Sequence, residues 1–237
     1  MRIHVHVALL SLCAAASLPA ATYSAWGDFG STNPSGAWKY GTVATDGAVG
    51  ALDATFTPMP TYQANFTSGG GFHSDAWLLS LASSDGVVRP NGAFGFGTVT
   101  YSPDYLNLHP ASDGAMAVVA FTAPTPDVYT FTGEWADHDV LGGTGVEIWT
   151  ALGNGNVIAH GTMPAVSSPV AINFSQSLTA GQSVYFVLGY GGEYTFDSTG
   201  LKLDVTDSAS AAPEPSSLLL VGLSAAAVWL KRRHYAR

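Results

Sequence analysis

Between residues 25 and 207 no stretch of 12 residues carries an apolar stripe at helical spacing, whereas short runs of period two recur, bounded by Gly, Pro, Asn and Asp. Side chains two apart share one face of a strand, so such runs can bury one face of a sheet but cannot line one side of a helix. The clearest runs are Gly50 to Phe56, Phe94 to Tyr101, Ala115 to Thr122, Val128 to Ala136, Val146 to Leu152, Val157 to Thr162, Ala171 to Leu178, Ser183 to Tyr190 and Leu201 to Thr206. Within Val128 to Trp135, Tyr129, Phe131 and Trp135 fall on one face and Val128, Thr130, Thr132 and Glu134 on the other, which predicts one buried and one wet face. Gly153, Asn154, Gly155 and Asn156 between two runs predict an antiparallel hairpin. With about nine to eleven strands and no internal repeat, the expectation is an all-β fold, a jelly-roll-like antiparallel β-sandwich over residues 25–207, rather than a propeller or solenoid.

The two ends read differently. Arg2, the apolar run Val5 to Ala16, then Ser17, Leu18, Pro19, Ala20 and Ala21 follow the charged, apolar, small-residue order of a secretory signal peptide. A signal helix over residues 1–24 is expected, cut by signal peptidase between Ala20 and Ala25. The only cysteine, Cys13, lies inside it, so the mature chain has neither a disulfide nor a thiolate ligand.

At the other end, Pro213, Glu214, Pro215, Ser216 and Ser217 precede an uncharged run from Leu218 to Leu230 and the cluster Lys231, Arg232, Arg233. This order resembles the PEP-CTERM sorting signal of bacterial surface proteins, which implies recognition and cleavage by exosortase. Residues 213–237 form that signal and 208–212 a small, polar linker. Ser216 to Leu230 would make a transmembrane helix of about 22 Å, short against a hydrocarbon core of about 30 Å, and the basic cluster should stay cytoplasmic. The precursor is therefore expected in the inner membrane with its body outside, and the processed protein at the cell surface or beyond it.

A second resemblance rests on Trp38, Lys39, Tyr40 and Gly41, on Leu106 to Pro110, on Val118 to Pro124, on Tyr129 to Phe131 and on Asp197 to Leu201. These segments are similar to a domain that recurs in PEP-CTERM proteins of planctomycete-type bacteria and to jelly-roll carbohydrate-binding modules. One departure is Ala120, where the pattern has a basic residue.

Charge narrows the partners. The formal net charge is −9, and five of the eight basic residues sit at the ends. From Ala25 to Ala212 only Lys39, Arg89 and Lys202 oppose sixteen carboxylates, so a phosphate backbone would be repelled and nucleic acid is excluded as a partner.

Catalytic signatures are absent: there is no nucleophile elbow, zinc-binding His pair, phosphate loop or EF-hand. His73, His109, His138 and His160 stand isolated in sequence. Asp137, His138 and Asp139 precede the loop of Gly142, Gly143 and Gly145, a candidate calcium site, although an Asx turn closing a hairpin is the plainer reading and no cofactor is expected. Glu134 and Glu147 are the one candidate glycosidase pair, read more simply as solvent-facing strand residues. Trp77, Trp135 and Trp149 are candidate sugar platforms, set against the usual place of such aromatics in a core. Asp197 to Gly200 reads as a tight turn before the last strand. The expected function is non-catalytic, structural or adhesive, in the envelope or an exopolysaccharide biofilm. A carbohydrate-binding protein is the alternative, and a glycoside or ester hydrolase the third reading. A row of exposed aromatics on one sheet face would favour the second.

Overall fold

The computed structural model describes residues 20–44, 50–66, 74–80, 86–139 and 141–208. The chain divides into one compact unit of residues 21–208 and another of residues 1–20 with 209–237. Apart from Ala20, the second unit lies outside the described residues, and with it the expected signal and transmembrane helices, the sorting residues and most of the linker.

Among the described residues the strands are β1 (Thr22–Ser24), β2 (Trp38–Val43), β3 (Thr57–Pro58), β4 (Thr61–Phe66), β5 (Ser74–Leu78), β6 (Gly86–Pro90), β7 (Phe94–Phe96) and β8 (Val99–Tyr101). They continue with β9 (Leu106–His109), β10 (Met116–Thr122), β11 (Asp127–Asp137), β12 (Val146–Leu152), β13 (Val157–Met163), β14 (Val170–Leu178), β15 (Ser183–Tyr190) and β16 (Thr199–Asp207). One sheet runs β14-β11-β16-β9-β6-β5-β4, with β1 also on β16; the other runs β13-β12-β15-β10-β2-β3. Every pairing is antiparallel. This is the expected all-β sandwich.

The alternation in β11 does what its sequence implies: Tyr129, Phe131 and Trp135 are buried while Val128 and Thr132 are exposed. From the opposite sheet Phe121 meets two of them, its ring centroid 5.2 Å from Tyr129 and 5.6 Å from Phe131, and within its own sheet it lies 5.4 Å from Trp38. Such aromatic contacts add to area burial, and truncating Phe121 to Ala should cost about 3–5 kcal/mol. The predicted hairpin joins β12 to β13, with Gly155 N donating to Leu152 O and Asn156 N to Asn154 Oδ1.

The central strand β10 is apolar on both faces. Ala117, Val119 and Phe121 enter the core between the sheets, whereas Met116, Val118 and Ala120 join Trp149, Ala151, Tyr185 and Val187 in a layer on the far face of the smaller sheet. That layer explains why Gly50 to Phe56 is not the strand its alternation predicts. A single helical turn, α1 (Leu52–Thr55), buries Leu52 in it, and Asp53 is fixed by its own N–H to Gly153 O and by the Tyr185 hydroxyl at 2.7 Å.

Phe94 to Tyr101, predicted as one run, is likewise a hairpin. Phe94 stacks on Tyr101 at 4.4 Å, and the β7–β8 pair folds over the outer face of the larger sheet onto Ala76, Leu78 and Val88. The sandwich begins at β1, where Thr22 pairs with Thr206, earlier than residue 25.

Candidate binding site

Residues 191–198 connect β15 to β16 across the end of the larger sheet. Gly191 N donates to Gly145 O at 2.9 Å and Glu193 N to Thr144 Oγ1 at 3.1 Å, so this loop is held by the glycine-rich loop after β11. Gly145 has φ +83°, and a Cβ there would lie 2.6 Å from Met163 O. Only glycine fits both demands.

The 191–198 loop carries Tyr194 and Phe196, 41% and 42% exposed, the exposed aromatics among the described residues. Phe196 has φ +65°, a conformation costing about 1–3 kcal/mol in a non-glycine residue. Both rings border a cavity of about 310 Å³ on the outer face of the larger sheet, walled also by Phe66, Tyr101, Asn107 and His109. His109 meets Tyr194 edge-on at 6.1 Å. The size suits a small organic ligand, and the mixture of aromatic faces with amide and hydroxyl groups suits one that is both apolar and polar.

Beneath the cavity lies a buried polar layer. His138 Nδ1 stands 3.1 Å from Asn107 Oδ1, and burial pushes the imidazole down to about 4, against a smaller opposing effect of Asp137. The ring is neutral, with its proton assigned to Nδ1 by the amide oxygen it faces. It lies across Gly200, where a Cβ would come within 2.3 Å of His138 Cε1. His138 O accepts from Thr100 N at 2.7 Å, which pins the β7–β8 hairpin. Asp137 Oδ1 accepts Asp139 N at 2.9 Å. Asp197 is 1% exposed, and its carboxyl is pushed up to about 7 by burial first, then by Glu193, Asp139 and Asp137. Asp197 and Ser198 are thus both buried, and β16 already begins at Thr199, so the second half of the tight turn expected over Asp197 to Gly200 is strand.

A second cleft, of about 330 Å³, opens between the edge strands β13 and β14. Its walls include Trp135, Ile158, His160, Ile172 and Phe174, and His160 stacks on Trp149 at 4.7 Å with planes 6° apart.

The tryptophans proposed as sugar platforms are mostly closed off. Trp77 is buried, its indole N–H donates to Gly30 O at 3.0 Å, and Tyr40 and Tyr62 cover its ring. Trp135 belongs to the core and reaches only the floor of the edge cleft. Trp149 is buried under His160 in the outer layer of the smaller sheet. Packing took these residues because indole buries more apolar area than any other side chain. Glu134 and Glu147 lie on opposite outer faces of the sandwich, since the neighbours Trp135 and Ile148 both point into the shared core. Glu134 accepts the Tyr105 hydroxyl. They cannot flank one bond. His73 is outside the described residues, and among these residues no three His, Cys, Asp or Glu converge as a metal-binding group. Tyr194 and Phe196 escaped the sequence reading, yet two aromatics set among Gly, Glu, Thr and Asp outside any alternating run were the available signal.

Residues 211–233 match the PEP-CTERM protein-sorting motif. The match takes in Pro213, Glu214, Pro215, Lys231, Arg232 and Arg233. A motif of this type marks an exported precursor for exosortase. No curated protein matches the chain. Solved structures with some likeness include a GH26-CBM35 β-(1,4)-mannanase of Podospora anserina, at 18% identity and a TM-score of 0.29 over 53% of this chain and 24% of that one. They also include a family 35 carbohydrate binding module from Clostridium thermocellum, at 16% identity and a TM-score of 0.32 over 49% of this chain and 87% of that one. A third is CBM51 from Clostridium perfringens GH95 in complex with methyl-galactose, at 12% identity and a TM-score of 0.35 over 61% and 87%. This chain spans about a quarter of the mannanase. Likeness at these TM-scores transfers no ligand, and the sandwich rests on its own strand pairings.

Proposed function

We propose that this chain is an exported surface protein with a non-catalytic β-sandwich body, made as a membrane-anchored precursor and freed from its tail by exosortase after signal peptidase has removed the leader. The observation that carries this reading is the sorting motif at residues 211–233, which follows directly on a body that ends at Ser208. The tail has a physical division of labour. Pro213 and Pro215 keep the chain extended and open to a protease, the short apolar run holds the precursor weakly, and Lys231 to Arg233 fix its orientation. Conversion of a pulse-labelled precursor to a form shorter by the tail, dependent on exosortase, supports the reading; a full-length protein that persists in the membrane contradicts it.

A polysaccharide is the ligand that the cavity under Tyr194 and Phe196 suits best. Half-exposed aromatic rings offer flat apolar faces to a sugar ring, and Asn107, His109 and Thr195 beside them offer hydrogen-bonding groups to its hydroxyls. The acidic body favours a neutral or basic glycan over an acidic one. Affinity electrophoresis of the mature protein in gels containing soluble polysaccharides tests this. Retardation lost in a Tyr194→Ala, Phe196→Ala variant supports it, and retardation unchanged by that variant assigns binding to another surface.

A further inference from the structure

Strands β4, β14, β3 and β13 stand at the ends of the two large sheets among the described residues. An outermost strand offers unpaired main-chain groups to any strand that meets it, and proteins blunt such edges by shortening, bulges, proline or charge. Three of the four are blunted. β3 is two residues long and contains Pro58, β4 slips register between Gln63 and Phe66 with Asn65 at φ +54°, and β13 meets a register shift on β12 between Thr150 and Ala151. β14 differs. Its nine residues, Val170–Leu178, pair with β11 without a shift, and the strand holds neither proline nor charge.

The main-chain groups that β14 leaves open follow from the register. Ser208 N donates to Val128 O at 2.9 Å, so the even-numbered residues of β11 face β16 and the odd-numbered ones face β14. Tyr129 lies opposite Gln176 and Trp135 opposite Val170, which commits the even-numbered residues of β14 to β11. Ala171, Asn173, Ser175 and Ser177 therefore turn their N–H and C=O groups outward, and among the described residues these meet only Gln176 Nε2, 3.1 Å from Ser177 O. Their side chains are exposed, small and uncharged, so nothing on them obstructs a strand alongside.

Charge selects the occupant. Residues 148–192 contain no Asp, Glu, Lys or Arg, in a body where three basic residues oppose sixteen carboxylates. Two such bodies repel through most of their surface, and an uncharged edge is where they can touch. That edge also gives a foreign strand no charge to recognise. A lone strand added to β14 would carry the open edge one place outward, whereas a second copy closes both edges on each other.

We propose that β14 is a self-association edge, at which two copies of this chain pair antiparallel about a two-fold axis. With the axis at Phe174, Ala171 of one copy faces Ser177 of the other and Asn173 faces Ser175, so all four outward residues of each strand find a partner. The cleft of about 330 Å³ between β13 and β14 opens at the same edge, and pairing also covers its Ile158 and Phe174. The dimer does not depend on a glycan being the protein's ligand.

Exported protein should double in mass by light scattering as its concentration rises through a Kd of about 10⁻⁶–10⁻⁴ M, the weak end for small interfaces. In the dimer the amides of Ala171, Asn173, Ser175 and Ser177 should exchange at least about tenfold more slowly than in the dilute monomer, while those of Ile172 and Phe174 are slow in both. Asn173→Lys combined with Ser175→Lys sets like charges opposite one another and should hold the protein monomeric at about the wild-type melting temperature. The same variant makes the body less acidic, so association through any other surface would persist or strengthen. Asp104→Asn with Asp113→Asn, an equal change of charge on exposed residues outside β14, should dimerise at least as well as wild type. A wild-type protein still monomeric at about 10⁻³ M overturns the proposal, as does a dimer that survives Asn173→Lys, Ser175→Lys. Protection of the edge amides that is independent of protein concentration assigns β14 to another strand and overturns it too. If the doubly substituted edge fails to fold, the wild-type mass and exchange still decide.

Discussion

His138 Nδ1 and Asn107 Oδ1 lie 3.1 Å apart, and the residues they belong to are 6% and 3% exposed. The contact joins the end of β11 to β9 beneath the cavity on the larger sheet. Asn107→Ala removes the acceptor and strands a ring N–H in the interior, which should destabilise the protein by about 1–3 kcal/mol. Denaturant titration should show a lower midpoint at an unchanged slope; an unchanged midpoint would mean that the pair contributes nothing net.

Phe196 separates stability from binding. Its φ of +65° is unstrained only for glycine, so Phe196→Gly relieves strain while deleting a ring that is 42% exposed. The variant is expected to melt at or above the wild-type temperature and to lose glycan retardation. A marked fall in melting temperature would make Phe196 a packing residue instead.

Trp149 and His160 form a stack whose members should behave unequally. Trp149 is buried against Met116 and Gly189, so Trp149→Ala should cost about 3–5 kcal/mol, as large-to-small core changes do. His160 is exposed on the edge strand β13, and His160→Ala should lower the melting temperature far less. Equal losses would show that the imidazole, rather than the indole, seals this layer.

The folded start of the body bears on the leader. Ala21 N lies 2.6 Å from Asp207 Oδ1, and Asp207 N donates back to Ala21 O at 3.2 Å, ahead of the β1 pairing with β16. A cut after Ala20 would place a new α-ammonium beside Asp207 and keep β1, whereas a cut after Ser24 would discard that strand. N-terminal sequencing of the exported protein should therefore begin at Ala21. A start at Ala25 would show that the sandwich is complete without β1.

How much of this was legible in the chain depended on which force fixed each element. Runs such as Val146–Leu152 and Ser183–Tyr190 were read to the residue because they are continuous strands in the middle of the smaller sheet, apolar toward the core and toward the covered outer face alike. The segments 50–56 and 94–101 alternate as strands do, yet became a helical turn and a hairpin, because the outer faces of both sheets are apolar and needed covers. Alternation reports burial, not which partner provides it. Trp77 and Trp135 were drawn into the core by the same area that made them look like sugar platforms. Asp197 was read as part of a turn because its burial arises from the distant loops at 142–145 and 163–165, and no local pattern records that.

The tail supplies separable expectations. Replacing Lys231, Arg232 and Arg233 by Gln should weaken membrane retention and mis-sort the precursor, since these charges hold the apolar run in place. Replacing Pro213 and Glu214 by Ala should block processing and leave insertion intact, giving a longer protein that stays in the membrane fraction. Identical processing in both variants would remove any role for the motif.

The most direct measurement is peptide mass spectrometry of the protein recovered from the cell surface. The account predicts peptides throughout residues 21–208 and none from Leu218 to Arg237, because exosortase has removed that segment. Recovery of Leu218 to Arg237 on the surface-exposed form would contradict it and make the tail a plain membrane anchor.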